Sequence, residues 1–437
     1  MNTKHIALFA FTALSLFHFS PVEAQDADNR TGDLINQSDW FRLEEEYPEL
    51  SGKIQTGPLK ELAEIMLASY FNRPQEAVVK IDTLLSHNQD FLGFNSTCNL
   101  VALRAKLIGE QGYYADAADQ LYDFLNQVDA FASRKDFPGH QQLADFYNQI
   151  RDVQAPSVVR PEKDTEISFT IEKAGRGVLM FIPVGINGKT YKFIFDTGAG
   201  STFLSSRLAK EMGLRILRDS LTINGAVASE TGRSGLIDSM TIGDITFKNS
   251  IVSIANPNPA VDTIYQVDAV LGSDFMRLIG EAVIYPQTGK IVFPVHKTPL
   301  PDTGRNMMFY DGAMSLKLYS GNELLRFCFD TGDVKASLFK CYYDKHKTEI
   351  DKTALKDTIT SGGFGGVRKH EVLCLESLPL QIGKTAFEIP GIHVEPEDLE
   401  TALRNEKDGS LGMDFIKLFD KVIISLDNMF VEARLPE

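Results

Sequence analysis

The hydrophobic pattern of the chain has two periods. Between about residues 33 and 152 it is helical. Residues 59–67 carry apolar side chains three and four apart, Arg73-Pro74 interrupts the run, and residues 77–85 resume it. A second unit repeats the plan, with helices over 100–108 and 115–128 around a turn at 109–112. The pattern predicts an all-α domain over 33–152, made of successive helix pairs.

Past Pro156 and Pro161 the period shortens to two. Ile167-Ser168-Phe169-Thr170-Ile171 alternates strictly. Leu179-Met180-Phe181-Ile182-Pro183-Val184 is apolar, Gly185-Ile186-Asn187-Gly188 turns, and Tyr191-Lys192-Phe193-Ile194-Phe195 is the next strand. Short strands between frequent turns predict an all-β region. That region is a tandem duplication. Phe193-Ile194-Phe195-Asp196-Thr197-Gly198 recurs 134 residues later as Phe327-Cys328-Phe329-Asp330-Thr331-Gly332. Val270-Leu271-Gly272-Ser273-Asp274-Phe275 recurs at a spacing of 140 as Ser410-Leu411-Gly412-Met413-Asp414-Phe415, and Met240-Thr241-Ile242-Gly243 as Leu380-Gln381-Ile382-Gly383 at the same spacing. Each copy closes with a strand pair, 282–292 and 421–431. Two β lobes are expected, 166–296 and 309–437.

Composition and charge narrow the function. The chain has 437 residues, 43% hydrophobic and 24% charged, which suits a multidomain globular protein. Its net charge of −15 repels phosphate backbones and argues against nucleic acid as a partner. Lys4, the apolar run 6–19 and the small residues of Val22-Glu23-Ala24 read as a signal peptide over 1–24, cut after Ala24. The run is too short to span a bilayer comfortably, and no cysteine follows the site to carry a lipid. An exported protein, periplasmic or extracellular and without a membrane span, is expected. Cys98, Cys328, Cys341 and Cys374 form no CxxC pair, which disfavours zinc. Export permits a Cys341–Cys374 disulfide, whereas Cys328 reads as strand core.

The candidate chemistry lies in the duplicated Asp-Thr-Gly. The tripeptide alone is a weak signal, because it also occurs at Asp302-Thr303-Gly304, after Pro299-Leu300-Pro301 and with no downstream partner. That copy reads as a turn in the linker between lobes. The other two copies each leave an apolar strand and are followed by an apolar-apolar-Gly segment. This arrangement resembles the aspartic peptidases, above all the retropepsin-like branch, with two lobes in one chain as in pepsin-like enzymes. The helical region more weakly resembles tetratricopeptide-type repeats, a generic helical bundle being the other reading.

The resemblance implies that Asp196 and Asp330 are a catalytic pair. Thr197 and Thr331 would clasp the two loops, and Gly198 and Gly332 would allow close backbone approach. Leu271-Gly272 and Leu411-Gly412 would lie behind the loops. It implies peptide hydrolysis with no metal and no cofactor, on a peptide or protein substrate, by a chain that needs no second copy. A protein partner is expected for the helical domain. Flap candidates are the interval 222–236, with Gly225 and Gly232, and the interval 361–366, with Gly363 and Phe364.

One departure bears on activity. The first loop reads Asp-Thr-Gly-Ala, but the second reads Asp-Thr-Gly-Asp, placing Asp333 where a small residue is usual. A third carboxylate there favours proton retention at the pair. The alternative function is therefore a catalytically inactive peptide- or protein-binding module with the same fold.

Overall fold

The computed structural model describes residues 22–174, 177–224, 229–256, 267–310, 312–363, 366–397 and 406–436. The chain divides into two compact units, Met1–Ala155 and Pro156–Glu437.

The first unit is helical. Its elements are α1 (Val22–Asn36), α2 (Trp40–Leu50), α3 (Gly57–Tyr70), α4 (Pro74–His87), α5 (Gln89–Glu110), α6 (Tyr114–Val128) and α7 (Pro138–Gln149). Consecutive helices pack against one another. Pro74 opens α4, where a missing N–H costs nothing and a fixed φ suits the first turn. The turn expected at 109–112 is shorter than its glycines suggest. Gly109 stays inside α5, and a Cβ there would fall 2.2 Å from the Tyr147 ring, so Gly109 makes room for α7. The reversal belongs to Gly112, at φ +89°.

The helical region also starts upstream of residue 33. Ala27, Thr31, Leu34 and Ile35 of α1 are buried. The buried Asp28 carboxylate accepts the Gln55 and Thr56 N–H groups and the Thr56 hydroxyl. Polar residues dominate the start of α1, which hides its periodicity. Among the described residues, no helix is long and apolar enough to cross a membrane.

The second unit is β-rich. In the first lobe the strands are β1 (Ser157–Val159), β2 (Thr165–Ser168), β3 (Thr170–Ala174), β4 (Gly177–Ile186), β5 (Lys189–Phe195), β6 (Phe203–Ser205), β7 (Arg215–Asn224), β8 (Ser229–Ile242), β9 (Ile245–Ala255), β10 (Ala269–Leu271), β11 (Glu281–Tyr285) and β12 (Lys290–Phe293). Helices α8 (Ser206–Met212) and α9 (Ser273–Ile279) follow β6 and β10. The second lobe holds β13 (Met307–Tyr310), β14 (Ala313–Ser320), β15 (Glu323–Phe329), β16 (Ser337–Leu338), β17 (Leu355–Gly363), β18 (Gly366–Cys374), β19 (Ser377–Ile382), β20 (Thr385–Pro390), β21 (His393–Val394), β22 (Gly409–Leu411), β23 (Lys421–Ser425) and β24 (Phe430–Arg434). Its helices are α10 (Lys340–Thr353) and α11 (Met413–Ile416). An all-α region followed by two β lobes is the architecture that the periodicity predicts.

The lobes share a strand plan. In each, a short strand lies between two others, parallel to one and antiparallel to the other: β10 between β5 and β6, and β22 between β15 and β16. This insertion sets the Leu-Gly segment beside the strand that leads into Asp-Thr-Gly. The hairpin of β4 and β5 turns at Asn187 and Gly188, both at positive φ, the two-residue turn that matches strand twist. Buried aromatic rings fill each lobe, Phe193, Phe195, Phe247, Phe275 and Phe293 in the first and Phe327, Phe329, Phe415 and Phe419 in the second. Burying one such ring stabilises by about 1.5–3 kcal/mol.

A third sheet joins the lobes, in the order β2-β12-β11-β23-β24. Its seam is the antiparallel pair of β11 and β23, where Val283 faces Ile423. The alternating run 167–171 thus divides. Its first half enters the joining sheet, and its second half, β3, pairs with β4 in the lobe. Period two is common to both strands, so the break at Phe169 leaves no mark in the pattern. The third Asp-Thr-Gly is a turn, as expected. Gly304 donates to Pro301 O at 2.9 Å with φ +73°, and the Asp302 side chain is 95% exposed beside Lys384. Cys98, Cys328, Cys341 and Cys374 are free thiols, so Cys341 and Cys374 are not bridged. Cys328 is only half-buried in β15, less enclosed than a core residue.

Candidate active site

Asp196 and Asp330 each follow the last residue of a buried strand, β5 and β15. The Asp196 N–H donates to Leu271 O at 3.1 Å, and the Asp330 N–H to Leu411 O at 3.0 Å. Each loop is therefore pinned by the Leu-Gly segment beside it. Space for that packing exists because Gly272 and Gly412 lack side chains. A Cβ on Gly272 would fall 2.6 Å from Ser201 C, and one on Gly412 2.9 Å from Asp333 O.

The two threonines lock the loops together. The Thr197 hydroxyl donates to Phe329 O at 2.7 Å and accepts the Thr331 N–H at 3.0 Å. The Thr331 hydroxyl donates to Phe195 O at 2.6 Å and accepts the Thr197 N–H at 3.1 Å. Both threonines are fully buried, and all four groups are satisfied across the lobe boundary.

That clasp brings the carboxyls together. The Asp330 side chain lies within hydrogen-bonding reach of the Asp196 carboxyl. Each carboxyl also lies over the opposite loop's glycine. A Cβ on Gly198 would stand 2.4 Å from Asp330 Cγ, and one on Gly332 2.3 Å from Asp196 Oδ2. Only glycine fits either place. Asp196 Oδ1 accepts the Gly198 and Ala199 N–H groups, and Asp330 Oδ1 accepts that of Gly332.

The electrostatics favour a retained proton. Loss of hydration among the surrounding loops pushes the Asp196 carboxyl above the ordinary carboxylate range. Its hydrogen bonds to Asp330 and to the Gly198 and Ala199 amides pull the other way, and the nearby charge of Asp333 adds to the rise. Asp333 Oδ1 accepts the Val334 N–H at 2.7 Å, and its backbone carbonyl accepts the Met413 N–H at 2.8 Å.

Two further carboxylates hold the loops from behind. Asp274 accepts the Thr202 N–H and hydroxyl at 2.8 and 2.9 Å, and Asp414 accepts the Ala336 N–H at 2.8 Å. Burial pushes both above the usual carboxylate range. The sequence contained their signal, an Asp two residues after each Leu-Gly, but gave no role to it. Also unforeseen are the crossed contacts of the lobes' first hairpins. A Cβ on Gly177 would lie 2.2 Å from Val334 of the second loop, and Gly312 O accepts the Ser273 hydroxyl at 3.1 Å beside the first loop.

The flap candidates fall on two long hairpins, β7–β8 and β17–β18. Gly225 and Phe364 lie outside the described residues. Gly363 ends β17 opposite Gly366. Gly232 is buried within β8 opposite Leu221, where a Cβ would meet Ile254 O at 2.7 Å. It lies three pairs from the hairpin's last pair, Asn224 and Ser229, and against Ile254 of β9.

Two β lobes that each bring an Asp-Thr-Gly loop to one shared centre have the aspartic peptidase-like arrangement. One comparison agrees over the first lobe. Residues 182–278 match the family described as "gag-polyprotein putative aspartyl protease". That span takes in the first loop and its Leu-Gly partner. Among solved structures, the aspartic proteinase from Irpex lacteus aligns over 63% of this chain and 98% of its own, at 15% identity and a TM-score of 0.41. No curated protein matches.

Proposed function

We propose that the chain is an exported aspartic endopeptidase, with Asp196 and Asp330 sharing one proton. The observation that carries this reading is the contact of the two carboxyls above the reciprocal Thr197–Thr331 clasp. Two carboxyls so close do not both ionise easily. The ionised one takes a proton from a bound water, which attacks the peptide carbonyl. The protonated one donates to the carbonyl oxygen, and the tetrahedral intermediate collapses with loss of the amine. The duplicated lobes provide both carboxyls in one chain, so a monomer suffices. The hairpins β7–β8 and β17–β18 are the covers proposed for an extended substrate. The helical unit is proposed to recruit a protein partner.

Asp196→Asn and Asp330→Asn are each expected to lower peptide cleavage by roughly 10²–10⁴-fold. Undiminished cleavage by either variant would sink the reading. Asp333 favours one rival, a binder that has lost activity, since its charge works against forming the ionised carboxylate. The binder predicts that peptides are held by the parent and by both Asn variants, with no products in the mass spectrum.

A further inference from the structure

The surfaces beside the two aspartates are chemically unlike. In a strand, the residue two before an aspartate shares its face, and so do the residues directly opposite on neighbouring strands. Beside Asp196 these are Ile194, with Phe181 and Val270 opposite it. Beside Asp330 they are Cys328, with Ser315 and Ser410 opposite it. Duplication makes the positions equivalent one by one. The backbone at Asp268 accepts the Ser205 N–H at 2.8 Å, and Asp408 accepts the Phe339 N–H at the same length. The residue before each completes the set: Val267 in the first lobe, Lys407 in the second.

Every one of the four apolar positions is thus polar in the second lobe. Ser315, Lys407 and Ser410 are buried there, and Cys328 is half-buried. Lys407 Nζ donates to Ser315 Oγ at 2.7 Å and lies 4.2 Å from the centre of the Tyr310 ring. The Ser410 hydroxyl is buried with no hydrogen-bond partner among the described residues. A buried orphan hydroxyl costs stability and calls for an explanation, of which a ligand group is one.

We infer that these unlike patches select the substrate: an apolar side chain on the Asp196 side of the scissile bond, and one ending in a carboxylate or carboxamide on the Asp330 side. This rests on the peptidase reading above. An ammonium, two hydroxyls and a thiol all donate hydrogen bonds, and carboxylate and carboxamide oxygens accept them. An apolar side chain at that place would leave the Ser410 donor buried and unmet, the kind of mismatch that a polar site rejects strongly.

The test digests a peptide library with the full chain and reads the cut sites by mass spectrometry. Apolar residues are expected on one side of the cut, and Asp, Glu, Asn or Gln on the other. Enrichment of Asp and Glu alone assigns the selection to charge, and equal enrichment of Asn and Gln assigns it to hydrogen bonding. Lys407→Val and Ser410→Val, which install the first lobe's residues, are expected to reduce the polar preference about tenfold. Ser410→Ala is the fallback if the larger residue lowers the melting temperature. Cleavage without a polar preference, or one unchanged in these variants, overturns the inference and leaves the peptidase reading standing. If the parent cuts nothing, its binding to a peptide array takes over as readout. The same paired preference among bound peptides keeps the inference and ends the peptidase reading. Binding without that preference, or none, overturns both.

Discussion

Asp333 adds its charge to the retention of a proton by the pair. It sits in the second loop, its amide donating to Asp330 O at 3.0 Å, and its charge adds to the rise in the Asp196 carboxyl. Because the folded value of Asp196 lies above the unfolded one, the native state holds that proton more tightly. The associated stability is present in acid and is lost as pH rises through the raised value. On the proposed mechanism, the form with a shared proton is lost on the same alkaline limb. Asp333→Ala removes one of the charges that raise Asp196, so the alkaline limb of the cleavage profile is expected to move to lower pH. A pH profile of initial rates for parent and variant checks this, and an unmoved or rising limb contradicts it. Asp196 and Asp330 were legible in the sequence because their context is local: an apolar strand before, a Leu-Gly after, both duplicated. Asp274 and Asp414 were visible as letters only. Their role depends on Thr202 and Ala336, some seventy residues away along the chain, which no local pattern connects.

Among the elements, the strand pairs β11–β12 and β23–β24 were readable as closing hairpins, since each sets two short apolar runs around a turn. Their pairing with each other was not, because a sheet edge carries no address for its partner. The seam rests on a small cluster of Val283, Ile423 and Phe430, with Tyr285 and Val292 against it. Asn306, in the segment that enters the second lobe, adds a reciprocal pair to Val431 of β24, donating from Nδ2 at 2.9 Å and accepting at Oδ1 at 2.7 Å. Phe430 is fully buried. Phe430→Ala is expected to cost about 3–5 kcal/mol. Urea unfolding of the two chains measures it, and a loss below about 1 kcal/mol would show that the seam relaxes to fill the space. The same variant bears on the site, because the lobes must hold their registration for Thr197 and Thr331 to reach across.

At the scale of the whole molecule, the two periods of the sequence correspond to two compact units, the chain dividing between Ala155 and Pro156. The period was enough to separate helix from sheet, since 3.6 and 2.0 residues demand different burial patterns. It was not enough to find the start of α1, where Asp28 is buried by hydrogen bonds to Gln55 and Thr56 that a hydropathy pattern does not register. Every group that forms the candidate site lies in the second unit: both loops, their Leu-Gly supports, and the carboxylates Asp274 and Asp414. The core phenylalanines and the joining sheet of that unit are likewise drawn from Pro156–Glu437 alone. Expressed by itself, Pro156–Glu437 is therefore expected to fold cooperatively and to cut short peptides within about threefold of the parent's kcat/KM, a difference of under 1 kcal/mol in transition-state binding. Processing of a native protein substrate is expected to fall further, because the helical unit is the proposed recruiter. Circular dichroism melting and initial-rate assays on both chains decide the matter. If the fragment folds but cuts short peptides more than a hundredfold more slowly, the helical unit is part of the peptidase itself. If both substrates are cut at parental rates, recruitment is wrong and the unit serves another purpose.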